Sequence, residues 1–214
     1  MNRRITTVLL VTTTFFIHKA YSRNIPENER SFGVHGGYIL SNVAFVPKVP
    51  QSFTTGWRGG FSFRQITEKH LGVVAELSLS QQGWTEKPLS AYNRSLTYLE
   101  LPFLTHITFG DRFRFYLNLG PKIAFLLREK GNRLDASLAE LPPQQILPVA
   151  NRFDWGLCGG PGIELCLSFV RILVETRYYY ALGNLFSSRK EDVFPQSSLR
   201  TLSFNLIFMA SPTR

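Results

Sequence analysis

Thr201-Leu202-Ser203-Phe204-Asn205-Leu206-Ile207-Phe208 decides the fold. In an extended chain Leu202, Phe204, Leu206 and Phe208 point one way and Thr201, Ser203 and Asn205 the other, because successive side chains of a strand alternate between its faces. One face suits hydrocarbon and the other a polar interior. The same period of two recurs toward the N-terminus. Val170, Ile172, Val174, Thr176, Tyr178 and Tyr180 oppose Arg171, Leu173, Glu175, Arg177 and Tyr179. Leu99, Leu101, Phe103, Thr105, Ile107 and Phe109 oppose Tyr98, Glu100, Pro102, Leu104 and His106.

Two more segments keep this pattern, one with Leu71, Val73, Ala75, Leu77 and Leu79 on its apolar face, the other with Phe113, Phe115, Leu117 and Leu119. Phe32 to Asn42, Gly56 to Ile66 and Phe153 to Leu167 are richer in glycine, which permits the bending and close approach of a narrow closed sheet. The connections alternate in length. Val43 to Thr55, Gly83 to Arg94, Arg128 to Arg152 and Gly183 to Ser198 are long, whereas Thr67 to His70, Gly110-Asp111 and Ser168-Phe169 are short. That rhythm predicts an all-β fold, an eight-stranded antiparallel up-and-down transmembrane β-barrel with its long loops outside and short turns in the periplasm. The Arg128 to Arg152 loop, with Pro142-Pro143 and Pro148, is expected to be mobile or folded over the barrel mouth.

Asn2-Arg3-Arg4, the apolar and threonine-rich run from Ile5 to Ile17, and the small-x-small Ala20-Tyr21-Ser22 have the form of a signal peptide. The expected division is a signal peptide at 1–22 and an outer-membrane barrel domain at 23–214. An uncleaved amphipathic start is the alternative. Three of the 24 Lys+Arg lie in this leader, which leaves 21 against 15 Asp+Glu in the mature chain, a net of +6. The excess forms no basic run, so nucleic acid is not an expected partner. Beyond the leader no apolar run reaches the roughly 18 residues of a helical span, whereas a spanning strand needs only about 9 to 11. A mean hydropathy of -0.04 fits the second case.

Cys158 and Cys166 fall in one strand about 26 Å apart, too far to pair within it, and are expected as buried free thiols. Trp57, Trp84 and Trp155, with Tyr180, fall near the outer rim, and Phe63, Phe109, Phe113 and Phe208 near the inner one, as the aromatic girdles of a bilayer-spanning barrel. A soluble barrel with the apolar face inward is the competing fold. Its outside would be glycine and serine with few charges, less Lys, Glu and Asp than a solvated surface carries.

The interior face carries Arg58, Arg64, Glu76, Glu100, Lys122, Glu164, Glu175 and Arg177. An eight-stranded lumen is just wide enough for side chains to fill, so these charges are expected to pair and close it. Glu76, Glu100, Glu175 and Arg177 are the predicted mid-height core of that network. A proton path or a carboxylate catalytic pair is the functional alternative. His35 and His106 point inward and His70 sits in a turn, with no H-E-x-x-H pairing. Gly159-Gly160-Pro161-Gly162 lacks the Lys-Ser/Thr of a phosphate cradle. No catalytic residue, metal or cofactor is therefore expected, and the chain is not read as an enzyme.

Several stretches resemble the PorT-like outer-membrane β-barrel family over nearly the whole mature chain. Gly33-Val34-His35-Gly36-Gly37-Tyr38-Ile39-Leu40-Ser41-Asn42 is similar to its first strand, Glu76-Leu77-Ser78-Leu79-Ser80-Gln81-Gln82-Gly83 to its third, Tyr98-Leu99-Glu100-Leu101-Pro102 to its fourth and Gly120-Pro121 to the end of its fifth. Phe153-Asp154-Trp155-Gly156 and Glu175-Thr176-Arg177-Tyr178 complete the set. The resemblance implies an eight-stranded barrel without a known catalytic centre, and its founding member is an accessory protein of type IX secretion. Such chains usually end on an aromatic residue read by the barrel-assembly machinery, whereas here Phe208 is followed by Met209-Ala210-Ser211-Pro212-Thr213-Arg214.

The expectation is a non-enzymatic accessory or scaffold in the outer membrane, reached by export to the periplasm. Its expected partners are outer-membrane lipid, the barrel-assembly machinery and, through the resemblance, secretion-system proteins. A small-solute pore or a surface ligand-binding barrel is the second class.

Overall fold

The computed structural model describes residues 29–86, 92–133, 143–167, 169–187 and 194–210. The predicted leader at 1–22 lies outside the described residues. Among those described, eight long strands form one ring: β1 Glu29–Val46, β3 Thr54–Glu68, β4 Leu71–Glu86, β5 Tyr92–Gly110, β6 Phe113–Arg133, β7 Phe153–Cys166, β8 Val170–Ala181 and β9 Gln196–Ala210. A two-residue β2, Gln51–Ser52, pairs with the outer end of β4, and a single turn of helix, α1, spans Pro143–Ile146. Each long strand is antiparallel to its neighbours in sequence, and β9 returns to β1 from Phe32↔Ala210 to Val46↔Gln196. The sheet is a closed eight-stranded antiparallel barrel, and closure leaves its long strands no free edge.

The two faces follow the parity read from the sequence. Phe115, Phe61 and Phe113 are 68%, 67% and 64% exposed, while Arg64, Arg177 and Glu76 retain 0%, 3% and 4%. Burying charges while presenting phenylalanine outward is unfavourable in water and favourable when hydrocarbon is the surrounding solvent. The soluble alternative, with its apolar face inward, has the opposite parity.

Tight turns close one end, among them Lys69-His70 between β3 and β4 and Asp111-Arg112 between β5 and β6. Gly110 leads into the second with φ of +110°, where a Cβ would also come within 2.2 Å of the Phe113 carbonyl oxygen. Only glycine suits that position. At the other end the strands outrun expectation: β1 continues to Val46, β5 starts at Tyr92 and β6 reaches Arg133. The predicted long loops are shortened accordingly. Strand residues beyond the membrane band meet water on their outer side, so they lose the apolar alternation that marks them in sequence.

Candidate functional site

The lumen positions more chemistry than any other part of the molecule. All eight charges expected inside are buried there. From β8, the Arg177 guanidinium donates to both carboxylate oxygens of Glu76 on β4, at 2.7 and 2.9 Å, and to Glu175 on its own strand. Arg58 on β3 joins Glu76 at 3.0 Å and approaches Glu100 to 4.0 Å, and Lys122 Nζ donates to Glu100 at 2.7 Å. Asn118 Nδ2 donates to Glu175 at 2.7 Å. The predicted quartet is thus one network, but Glu100 joins it only through Arg58, which also bears on Glu76. Arg58 and Lys122 are as much part of it as the four residues singled out.

A second cluster sits toward the short-turn end. Arg64 on β3 donates to both oxygens of Glu164 on β7 at 3.0 and 2.8 Å. Glu29 gathers Arg64 at 3.4 Å, Arg171 at 2.8 Å and Arg114 at 3.7 Å. The sequence parity places Arg171 on the interior face, and Arg114, opposite Phe113 and Phe115, shares it, but neither is among the expected network charges, and the expected first strand starts after Glu29. Their inward parity was the available signal.

The outer mouth corrects one expectation. Trp84 is not a girdle residue: it is fully buried inside the barrel, at the top of β4, whereas Trp57 and Trp155 are 50% and 49% exposed on the outer wall. Its ring packs edge-on against Phe45 and Phe186, with centroids 5.6 and 6.2 Å away, and Phe194 packs tilted against both from the β8–β9 connection. Val149 and Leu185 complete this apolar plug. Of the Arg128 to Arg152 segment, residues 128–133 extend β6, and the described part from Pro143 onward folds over the mouth. Arg94 donates to the carbonyls of Gln144 and Leu147 at 2.8 and 2.7 Å and pairs with Glu129, while Glu86 accepts from the Gln144 and Gln145 amides at 3.2 and 2.9 Å.

Beside the network lies a cavity of about 10 Å³, lined by residues that include Arg58, Glu100, Lys122 and Arg177. One water needs roughly 10–15 Å³. Each described histidine is tied down: His35 bridges Ser62 and Ser78 at 2.7 and 2.8 Å, His106 meets Asn118 at 2.7 Å, and His70 meets the Thr108 carbonyl at 2.9 Å. Cys158 is buried, but Cys166 is only half-buried, beside Arg171 at the short-turn end, so the expectation of two buried thiols holds for one. Both are free.

A closed barrel with a lipid-compatible wall, a charge-filled lumen and one set of tight turns is a small outer-membrane β-barrel. Residues 20–187 match the family described as outer membrane protein beta-barrel domain, and the chain belongs to that family. It is located in the outer membrane. Among solved structures it resembles the outer membrane protein OprG of Pseudomonas aeruginosa, with 13% identity and a TM-score of 0.50 over 88% of this chain and 98% of that one. It is also similar to the attachment invasion locus protein Ail of Yersinia pestis, with 12% identity and a TM-score of 0.46 over 87% and 99% of the two chains. Neisserial surface protein A matches with 12% identity and a TM-score of 0.44 over 82% and 95%. No curated protein matches the sequence.

Proposed function

We propose that this chain is a non-conducting, non-enzymatic barrel that works through its rim, outer wall and outer loops, as an accessory or scaffold for other envelope proteins. The observation that carries this reading is the pair of cross-lumen bridges, Arg177–Glu76 and Arg64–Glu164, under an aromatic plug. Buried guanidinium–carboxylate pairs with both oxygens engaged are costly to break, which favours a permanently filled interior over a solute path. The finer reading, a PorT-like accessory of type IX secretion, rests on the strand motifs from Gly33 to Asn42, Glu76 to Gly83 and Glu175 to Tyr178, and is an argument by resemblance.

Deletion of the gene tests it. Cargo of the secretion system is expected to accumulate in the periplasm and to be released again when the full chain is restored. Unchanged secretion in the deletion strain would remove the secretion role and leave the barrel untouched.

A further inference from the structure

On the outer wall β6, β7 and β8 enclose an open groove of about 380 Å³, whose lining includes Leu117, Leu119, Leu157, Gly159, Tyr178 and Tyr180. That volume lies within the roughly 300–1,000 Å³ of ligand pockets. The groove exists because β7 has no side chain at Gly159. A Cβ there would come within 2.6 Å of the Asn118 carbonyl oxygen, so the close approach of β7 to β6 requires glycine and leaves a low floor between two ridges. Next on the outward face of β7 is Pro161, and the β7–β8 pairing skips both Gly160 and Pro161.

The groove runs along the wall that faces lipid, and its upper end lies at the outer interface. Tyr180 is one residue from the end of β8, on the side of the long loops, and the half-exposed Trp155 lies above, its carbonyl accepting from Leu182 N at 2.8 Å. At the edge stands Arg200 of β9, paired in register with Tyr180, its guanidinium 5.1 Å from the centroid of the Tyr180 ring. Gln196 Nε2 donates to the Tyr180 hydroxyl at 3.3 Å and so fixes the ring. Among the described residues no carboxylate pairs with Arg200, and its buried Nε has no hydrogen-bond partner. A half-buried cation at the hydrocarbon boundary is stabilised by an anion at headgroup depth.

We propose that this groove is a binding site for one acyl chain of an anionic, phosphate-bearing membrane lipid, with Arg200 as the contact for its headgroup. The leucine and tyrosine ridges hold the chain by dispersion. Arg200 offers its guanidinium to the phosphate in the geometry that favours oxyanions. The inference needs only the outer-membrane location and stands whatever the barrel's partners are.

The test is native mass spectrometry of the full chain released from bilayers holding equal amounts of phosphatidylglycerol and phosphatidylcholine. The intact protein is expected to keep one phosphatidylglycerol. Leu157→Trp and, independently, Leu119→Trp fill the groove from the lipid side and are expected to abolish that adduct while the protein keeps the gel mobility of a folded barrel. Arg200→Gln leaves the groove open and is expected to retain a lipid without preference between the two. An unmodified protein that keeps no lipid, or folded tryptophan variants that keep the adduct, would overturn the site. Persistence of the phosphatidylglycerol preference in Arg200→Gln would overturn the headgroup contact.

Discussion

Arg177 and Glu76 face each other across the full width of the barrel. Their strands, β8 and β4, are four places apart in either direction around the ring of eight, and both carboxylate oxygens are engaged, at 2.7 and 2.9 Å. Arg64 and Glu164 do the same between β3 and β7 at a second level. Opposite walls are thus tied directly, and the ties occupy the space that a solute would need.

Truncating one end of such a tie leaves the other charge buried and unpaired. Arg177→Met is expected to destabilise the barrel by about 3–5 kcal/mol, and Glu76→Gln by a similar amount, whereas the double variant costs less than their sum. Urea unfolding in lipid vesicles measures all three. Additive losses would mean that the two side chains act independently.

The lipid-facing parity makes a different demand. Leu206 is 43% exposed on β9 and pairs with Gly36 and Val174, so Leu206→Arg places a charge in hydrocarbon and is expected to cost about 2–4 kcal/mol if it lies near the midplane. The matched outward change Leu202→Arg, nearer the outer rim, costs less. Unboiled and boiled protein should migrate differently on an SDS gel, with the folded band weakened in Leu206→Arg.

Trp84 and Trp57 separate plug from girdle. Trp84→Ala removes a fully buried ring that contacts Phe45 and Phe186 and is expected to cost roughly 3–5 kcal/mol, while Trp57→Ala on the outer wall costs much less. Equal losses would contradict the placement of Trp84 inside the mouth.

Arg94 pins the segment around α1 through two backbone carbonyls. Arg94→Met should expose residues 144–149 to protease in intact cells without opening a conducting path, because the ties from Arg177 and Arg64 lie deeper. Cleavage unchanged from the unmodified protein would mean that other contacts hold the segment.

The alternation of Leu202 to Phe208 was enough to orient every long strand, since a period of two leaves no freedom in which face meets lipid. The inward parity of Glu76, Glu100, Glu175 and Arg177 likewise brought them together. Trp84 departs from the expectation. It shares parity with Glu76, Ser78, Ser80 and Gln82, all buried, but the sequence reading ends the strand before Gly83 and assigns Trp84 to the outer connection, whereas β4 continues to Glu86. Which interior charges meet across the ring depends on strand stagger, and a sequence carries stagger only weakly. So the Arg64–Glu164 tie and the gathering of Arg114 and Arg171 on Glu29 emerge only with the closed barrel.

Single-channel recording of the purified full chain in planar bilayers tests the sealed lumen most directly. The account predicts a silent membrane at voltages where open barrels conduct, with an insertion control showing that protein is present. Steady, discrete conductance steps from the unmodified protein would contradict it.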